Sequence, residues 1–270
     1  MAPEETWWRR AARLVEAGDE EGALELLERT LEEGELWRTR PLKMPGFDRI
    51  REDRRFRAVE AEATRLAAAL GTRPQLHVFP PPRSHRRPRL LLGLHGATSS
   101  AADFWPHWLP ATELGYLLAV PQSSQPASAD AFCWDDPELA ERELQEHART
   151  LSREHDFDPE GAVLAGYSQG AALAFRLAQR AVPLDARRFL LAAPSLFDPP
   201  IDPARAPRLR GAAVRGDQDP YGERFPAFQE ACARAGLGLR VEVVEGLGHT
   251  YPEDFPTRLA RLLEHLAGPG

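Results

Sequence analysis

The sequence predicts an α/β fold in which a mostly parallel sheet is covered by helices on both faces, with a small helical subdomain before it. Two observations lead to this prediction. The composition changes near Gly71, from a segment rich in Glu, Arg, Ala and Leu at helical spacing to alternating short strands and helices. Several strand candidates in the second part are continuous apolar runs, a pattern typical of strands buried on both faces of a parallel sheet. We therefore expect a helical unit over 1–70 and a larger α/β unit over 74–270.

The first unit is predicted to contain three helices. Apolar stripes run through 7–31, and Gly18-Asp19 interrupts them, so this stretch is expected to be a helical hairpin. A third helix is predicted over about 48–70. The hairpin resembles a single tetratricopeptide-type helical pair, although three or more repeats are needed for a solenoid. We expect these helices either to cover a site on the larger unit or to bind a second subunit or another protein.

Seven strands and four helices are predicted in the second unit. The strand candidates are 75–79, 90–94, 117–120, 162–165, 189–192, 212–214 and 239–244. The helix candidates are 137–155, 169–180, 221–235 and 252–267. Helices alternating with short apolar strands indicate a sheet that helices cover on both faces.

Composition and charge exclude several classes of protein. The chain of 270 residues is 43% hydrophobic and 28% charged, which is ordinary for a globular protein. Its net charge of -7 supplies no basic field, so nucleic acid is not an expected partner. No apolar stretch approaches the roughly 20 residues of a membrane helix and no signal-peptide pattern is present, so a cytoplasmic protein is expected. Cys133 and Cys232 are not spaced as a metal or redox pair.

One pentapeptide has the pattern of a nucleophile motif. Gly166-Tyr167-Ser168-Gln169-Gly170 matches GxSxG and stands between a predicted strand and a predicted helix. In this context the serine lies on a sharp turn, where flanking glycines leave room and the hydroxyl is exposed above the sheet. The first N–H groups of the following helix point toward the place where a tetrahedral oxyanion would form. Ser168 is therefore the candidate nucleophile.

A serine nucleophile needs a histidine base that a carboxylate orients, and the expected chain order is Ser, acid, His. Only His249 and His265 follow Ser168. His249 lies in a Gly-rich loop directly after the last predicted strand, whereas His265 lies among leucines of the final helix and is expected to be structural. Asp217 and Asp219 both follow a predicted strand, and the local pattern leaves both open as the acid.

The second oxyanion donor is expected from the loop that follows the strand at 90–94. This loop begins His95-Gly96-Ala97, and by position the backbone N–H groups of Ala97 and Gln169 are the candidate donors. His95 is expected to be structural, because the base normally comes last in the chain.

The expected site is open and partly apolar. The Pro-rich stretch 194–207 is too short for a cap domain. Six aromatic side chains are candidates for a rim around an acyl or aryl group, and burial under the sheet is the equal alternative for each: Phe104, Trp105, Trp108, Phe132, Trp134 and Tyr221. HExxH, EF-hand, Walker and GxGxxG patterns are absent from the sequence, so no metal or nucleotide cofactor is expected.

Five segments, LHGATSS, FCWDD, LAGYSQGAALAF, GDQDPY and EGLGHTYPEDF, resemble the carboxylesterase and acyl-protein thioesterase group of α/β-hydrolases. They are close also to dienelactone-hydrolase-like and phospholipase-type esterases. The resemblance covers about 89–267 and implies the α/β-hydrolase fold. Dienelactone hydrolases proper have cysteine where this chain has Ser168, and the thioesterases lack the N-terminal helical segment.

Carried over residue by residue, the resemblance implies Ser168 as the nucleophile, His249 as the base and Asp219, rather than Asp217, as the acid. It also implies the oxyanion hole, formed by the backbones of Ala97 and Gln169, and a place for Trp134 beside the acyl pocket.

The expected function is hydrolysis of a small-molecule carboxylic ester or thioester through an acyl-enzyme. A peptidase of the prolyl-oligopeptidase type shares the core motifs, but this chain has no room for the large gating domain. A catalytically silent hydrolase-like module that binds partners through its helical hairpin is the alternative from another class. The presence of Ser, Asp and His in the expected order favours the enzyme.

Overall fold

The computed structural model describes residues 6–34, 39, 41–69, 72–82, 87–128, 130–195 and 201–268. Its helices are α1 (Trp7–Glu16), α2 (Glu20–Glu32), α3 (Arg54–Ala69), α4 (Ala101–Trp108), α5 (Pro110–Glu113), α6 (Pro137–Glu154), α7 (Gln169–Arg180), α8 (Phe225–Arg234) and α9 (Phe255–Ala267). Its strands are β1 (Gln75–Phe79), β2 (Arg89–Leu94), β3 (Tyr116–Gln122), β4 (Gln125–Pro126), β5 (Phe132–Cys133), β6 (Asp158–Tyr167), β7 (Arg188–Ala192), β8 (Arg210–Gly216) and β9 (Gly238–Val244). Three short 3-10 turns accompany them, at Pro41–Lys43, Pro45–Phe47 and Ala206–Arg208.

Seven of these strands form one sheet in the order β1-β3-β2-β6-β7-β8-β9. β1 is antiparallel to β3, and every other neighbouring pair is parallel. The predicted mostly parallel sheet and all seven predicted strands are confirmed. Because the carboxyl ends of parallel strands lie at the same edge, the loops after β2, β6, β8 and β9 come together there.

Helices cover both faces of this sheet, as predicted. On one face α6, α7 and α8 contribute Leu144, Phe175 and Phe228 to a core that includes alternate side chains of the strands. On the other face α4 and α9 contribute Trp108 and Phe255. The strands are therefore buried from both sides, which explains why they are continuous apolar runs.

The segment 101–108 differs from the sequence-based interpretation. It forms helix α4, which begins at a capping box between Ser100 and Asp103 and packs against the sheet. Phe104 is 2% exposed and Trp108 is fully buried, so these two rings belong to the core and not to an open rim. Pro106 lies inside this short helix and hides its periodicity in the sequence.

The N-terminal helices form the predicted hairpin and a third helix around a core of their own. α1 and α2 are separated by Gly18, with a φ of 85°, and by Asp19, whose side chain accepts a hydrogen bond from the Gly22 N–H. The third helix begins at Arg54, because turns occupy the preceding residues. The shared core contains Val15 and Phe56, among other apolar side chains. No described helix combines the length and the apolar character needed to traverse a lipid bilayer.

Candidate active site

Ser168 lies on the sharp turn between β6 and α7, where the sequence motif predicts it. Its backbone has φ 52° and ψ -116°, a conformation that non-glycine residues rarely adopt. A Cβ on Gly170 would collide with the carbonyl oxygens of Leu94 and His95, and a Cβ on Gly166 would collide with the backbone of Gly170. The two motif glycines are therefore needed because the turn packs directly against its neighbours.

Three side chains from different loops form a chain of hydrogen bonds at this turn. His249 Nε2 lies 2.9 Å from Ser168 Oγ, and His249 Nδ1 lies 2.9 Å from Asp219 Oδ2. Since a carboxylate only accepts hydrogen bonds, the Nδ1 proton is directed to Asp219 and Nε2 accepts the hydroxyl proton of Ser168. The Asp219 side chain is fully buried and the His249 side chain is 18% exposed, so the imidazole can be reached from solvent while the carboxylate cannot.

The two aspartates that the local pattern left open lie in different places. Asp219 Oδ1 accepts a hydrogen bond of 2.8 Å from the Tyr221 N–H, which fixes the carboxylate toward His249. Asp217 is exposed, and its Oδ1 accepts a hydrogen bond of 2.8 Å from the Gly246 N–H. Asp217 therefore holds the loop before His249, and Asp219 is the aspartate that contacts the imidazole.

The predicted oxyanion donors lie on two loops beside Ser168. An ideal Cβ on Gly96 would lie 3.5 Å from the Ser168 Cβ, which places the loop after β2 against Ser168. The backbone N–H groups of Ala97 and Gln169 donate to none of the residues that the structure describes. Both N–H groups are therefore available to an oxygen at this position, and the one on Gln169 starts a helix whose dipole favours negative charge.

A buried polar network lies behind these donors. The Trp134 N–H donates to Gln169 Oε1 at 2.9 Å, and Gln169 Nε2 donates to Asp135 Oδ1 at 2.7 Å. The indole Nε1 of Trp134 donates to the His95 carbonyl at 2.9 Å. These bonds join the segment after β5 to both loops that carry the candidate donors.

His95 lies within this network and makes no hydrogen bond to the Ser168 hydroxyl. Its Nδ1 donates to the Gly96 carbonyl at 2.8 Å, while Nε2 accepts from Ser123 N at 3.3 Å and from the Gln122 amide at 3.2 Å. Complete burial lowers the pKa of His95 to about 4, so the ring is neutral at physiological pH. The structural role predicted for His95 matches this environment.

Aromatic rings surround the imidazole of His249 on its own side of the site. The Tyr221 ring centroid lies 4.6 Å from that of His249, and the Tyr167 centroid lies 5.3 Å from it. The Tyr167 hydroxyl donates to the His249 carbonyl at 2.8 Å, and burial raises the pKa of this hydroxyl, so it stays a donor. Tyr251 stacks on Tyr167 at 4.6 Å and accepts a hydrogen bond from Trp108 Nε1.

The predicted rim residues separate into two groups. Tyr221 is half-buried and contacts His249, and its predicted contact with substrate stays a prediction. Phe104 is packed under β2, where its ring lies against Gly93, and Trp134 is 2% exposed with its indole N–H already bonded. For Phe104 the expected contact with substrate is corrected, and for Trp134 the structure places the ring behind the oxyanion loop.

Sequence reasoning missed Ser195, which follows β7. Its hydroxyl lies 3.2 Å from Ser168 Oγ, and its backbone N–H donates to the Ser168 carbonyl. Neither a motif nor a periodicity marks this position in the sequence. Within the described residues, no group of three or more His, Cys, Asp or Glu side chains is arranged to hold a metal ion.

Solved structures with the same fold were found, whereas no protein-family model and no curated protein sequence matches the chain. A carboxylesterase from Mesorhizobium loti shares 20% identity with a TM-score of 0.59, over 72% of this chain and 94% of that chain. An S-formylglutathione hydrolase from Agrobacterium tumefaciens shares 16% identity with a TM-score of 0.57, over 73% and 91%. The chain therefore has the α/β-hydrolase fold.

One structure extends the similarity to the N-terminal helices. A protein of Bacillus cereus ATCC 10987 described as uncharacterized shares 24% identity with a TM-score of 0.60, over 96% of this chain and 86% of that chain. Coverage this high includes most of 1–70.

Proposed function

We propose that the protein hydrolyses a carboxylic ester or thioester with Ser168 as nucleophile, through an acyl-enzyme intermediate. The single observation that supports this most directly is the hydrogen-bonded chain Ser168–His249–Asp219, with a distance of 2.9 Å at each step. The similarity to solved carboxylesterases adds support at the level of the fold.

The geometry suggests the order of events in the first half of the reaction. Ser168 Oγ attacks the acyl carbon while His249 Nε2 takes its proton, and Asp219 stabilises the imidazolium that results. The carbonyl oxygen becomes an oxyanion that accepts hydrogen bonds from the N–H groups of Ala97 and Gln169. The C–O or C–S bond then breaks, and His249 returns the proton to the leaving alcohol or thiol.

The second half of the reaction repeats this chemistry with water. His249 takes a proton from a water molecule that attacks the acyl-Ser168 ester, and the same two N–H groups bind the second oxyanion. The acid is released, and His249 returns the proton to Ser168 Oγ. His249 accepts a proton at both attacks, so it acts in its neutral form.

The test is turnover of p-nitrophenyl esters from acetate to laurate, together with covalent labelling by a fluorophosphonate probe. We expect the wild-type protein to hydrolyse at least one ester and to be labelled, and the Ser168→Ala variant to lose labelling and at least about 10⁴-fold in kcat. The chain length with the highest kcat/KM will indicate the size of the acyl pocket.

Ser195→Ala is the matched control, because it removes a neighbouring hydroxyl 3.2 Å away and leaves the proposed nucleophile in place. We expect this variant to be labelled still. A wild-type protein that neither reacts with the probe nor hydrolyses any ester would overturn the proposal in favour of a catalytically silent module.

A further inference from the structure

The N-terminal helix α1 reaches the residues around His249. The Arg9 guanidinium carbon lies 4.4 Å from the centroid of the Tyr221 ring, which in turn lies 4.6 Å from the imidazole of His249. Two ring contacts in series therefore connect a helix of the first unit to the candidate base. The backbone N–H of the same tyrosine is bonded to Asp219, so its position is fixed on the other side as well.

The position of Arg9 is determined by the packing of α1. Ala11 and Val15 on this helix are buried in the N-terminal core, and Gly46 lies so close to Ala12 that an ideal Cβ there would be 3.0 Å from the alanine Cβ. The side chain of Arg49 also donates to the Val15 carbonyl near the end of the helix. Arg9 is thus carried by a packed helix, which limits the positions that its guanidinium can take.

The Arg9 side chain lies over aromatic rings and forms no ion pair with any carboxylate of the described residues. Its contacts are the faces of Tyr221 and, at 5.3 Å, of Trp8. The contacts of this guanidinium are with ring faces, and none of its five N–H donors has a hydrogen-bond acceptor among the described residues. A half-buried guanidinium with unused planar donors is suited to bind a carboxylate in a bidentate manner.

We infer that Arg9 is a specificity residue of the proposed hydrolase, and that the substrate is an ester or thioester that carries a carboxylate some bonds away from the scissile carbonyl. This inference rests on the proposed function, since Arg9 acts on a substrate that Ser168 attacks. The N-terminal helices then form one wall of the substrate site. The carboxylate belongs either to the acyl part or to the leaving group, and the two sources are separable by experiment.

The experiment uses two matched pairs of esters with the full-length protein. Monoethyl adipate and ethyl hexanoate differ by a carboxylate on the acyl part, and para-acetoxybenzoate and its methyl ester differ by a carboxylate on the leaving group. kcat and KM are measured for wild type and for Arg9→Ala, Arg9→Lys and Arg9→Glu. Arg10→Ala is the control, because it removes a neighbouring charge from an exposed position of the same helix.

We expect Arg9→Ala to lower kcat/KM for the charged ester of one pair about tenfold, mainly through KM, and to change its neutral partner less than about twofold. Arg9→Glu should lower it further through repulsion, and Arg9→Lys should lie between wild type and alanine. Arg10→Ala should leave both pairs within about twofold of wild type. The pair that responds identifies which part of the substrate carries the carboxylate.

Three results would overturn the inference while leaving the proposed function intact. These are equal losses for charged and neutral esters, unchanged kinetics in all Arg9 variants, and a wild-type protein that hydrolyses only the neutral esters. Equal losses would mean that Arg9 only holds the Tyr221 ring in place and does not bind the substrate. If the wild-type protein hydrolyses none of the four esters and is not labelled by a fluorophosphonate, the proposed function itself fails, and this inference fails with it.

Discussion

The two halves of the candidate site are held in place by different means. On one side, Ser168, His249 and Asp219 come from three loops and are joined to one another by two side-chain hydrogen bonds. On the other side, the candidate oxyanion donors are backbone N–H groups of Ala97 and Gln169, and buried side chains behind them hold the two loops. In the proposed mechanism the first half consists of the groups that react, whereas the second depends on side chains that do not touch the substrate.

This difference predicts how each half responds to substitution. A group that must transfer a proton cannot be replaced without losing the step, so changes in the first half should have large effects on rate. A backbone N–H remains after any substitution except proline. Substitutions of the side chains behind the second half can therefore only loosen the positions of these N–H groups, and we expect them to lower the rate less.

The largest effect is expected from Asp219→Asn. The amide keeps the shape of the buried side chain, but its NH₂ group would face His249 Nδ1 and require that nitrogen to accept a hydrogen bond. The imidazole proton then moves to Nε2, which can no longer take the proton of Ser168 Oγ. We expect kcat to fall about 10³- to 10⁴-fold while the melting temperature changes little.

Asp217→Asn is the matched control for this substitution, since it makes the same chemical change two residues away. The amide oxygen of the variant can still accept the hydrogen bond from the Gly246 N–H that Asp217 Oδ1 accepts. We expect less than about a threefold change in kcat. If the two variants lost the same factor, Asp219 would have no special part in the mechanism.

The next prediction concerns the stability of the protein and His95, which lies in the buried network behind the second half of the site. Burial lowers the pKa of this ring from 6.5 to about 4 in the folded protein. Between about pH 6.5 and pH 4 the His95 side chain is protonated in the unfolded chain but neutral in the folded protein. The free energy of unfolding therefore decreases as the pH falls through this window. The contribution of His95 to that decrease is about 3 kcal/mol.

Urea unfolding at several pH values between 4 and 7 measures this contribution. The His95→Gln variant should lose part of the pH dependence, and a His155→Gln variant, altered outside the network, should retain it. Other histidines with lowered pKa, such as His147, keep their own share in both variants. An unchanged slope in His95→Gln would mean that His95 takes up its proton at the same pH in the folded and the unfolded protein, contrary to a pKa lowered by burial.

The residues of the first half of the site were easier to predict from the sequence than the side chains that hold the second half. Motif and chain order predict Ser168 and His249, and the resemblance selects Asp219 over Asp217. The structure brings these three side chains within hydrogen-bond distance, although their catalytic roles stay predictions. Continuous apolar runs likewise predicted all seven strands, because burial on both faces leaves a plain local signal.

The remaining contacts join residues that are distant in the chain and have no local signal. Phe104 was assigned to the rim because an aromatic residue near a motif looks the same in sequence whether it faces substrate or core. Arg9 and Ser195 reach the site only through tertiary packing, from the first unit and from the end of β7. Periodicity reports which face of an element is buried, but not which element lies opposite.

The smallest effect is expected from Gln169→Met, which tests whether the side chain behind an oxyanion donor matters at all. Gln169 Oε1 accepts from Trp134 N and its Nε2 donates to Asp135, so a methionine of similar length removes both tethers and keeps the backbone N–H. Because the Gln169 N–H is loosened rather than lost, we expect kcat to fall about tenfold with little change in KM. A trifluoromethyl ketone, whose adduct carries the oxyanion, should bind more weakly by a similar factor.

Gln179→Met makes the same change near the other end of α7 and should alter neither kcat nor the affinity for the ketone. If Gln169→Met also kept the wild-type kcat and ketone affinity, the buried network would serve the fold alone, and the two halves of the site would differ less than their contacts suggest.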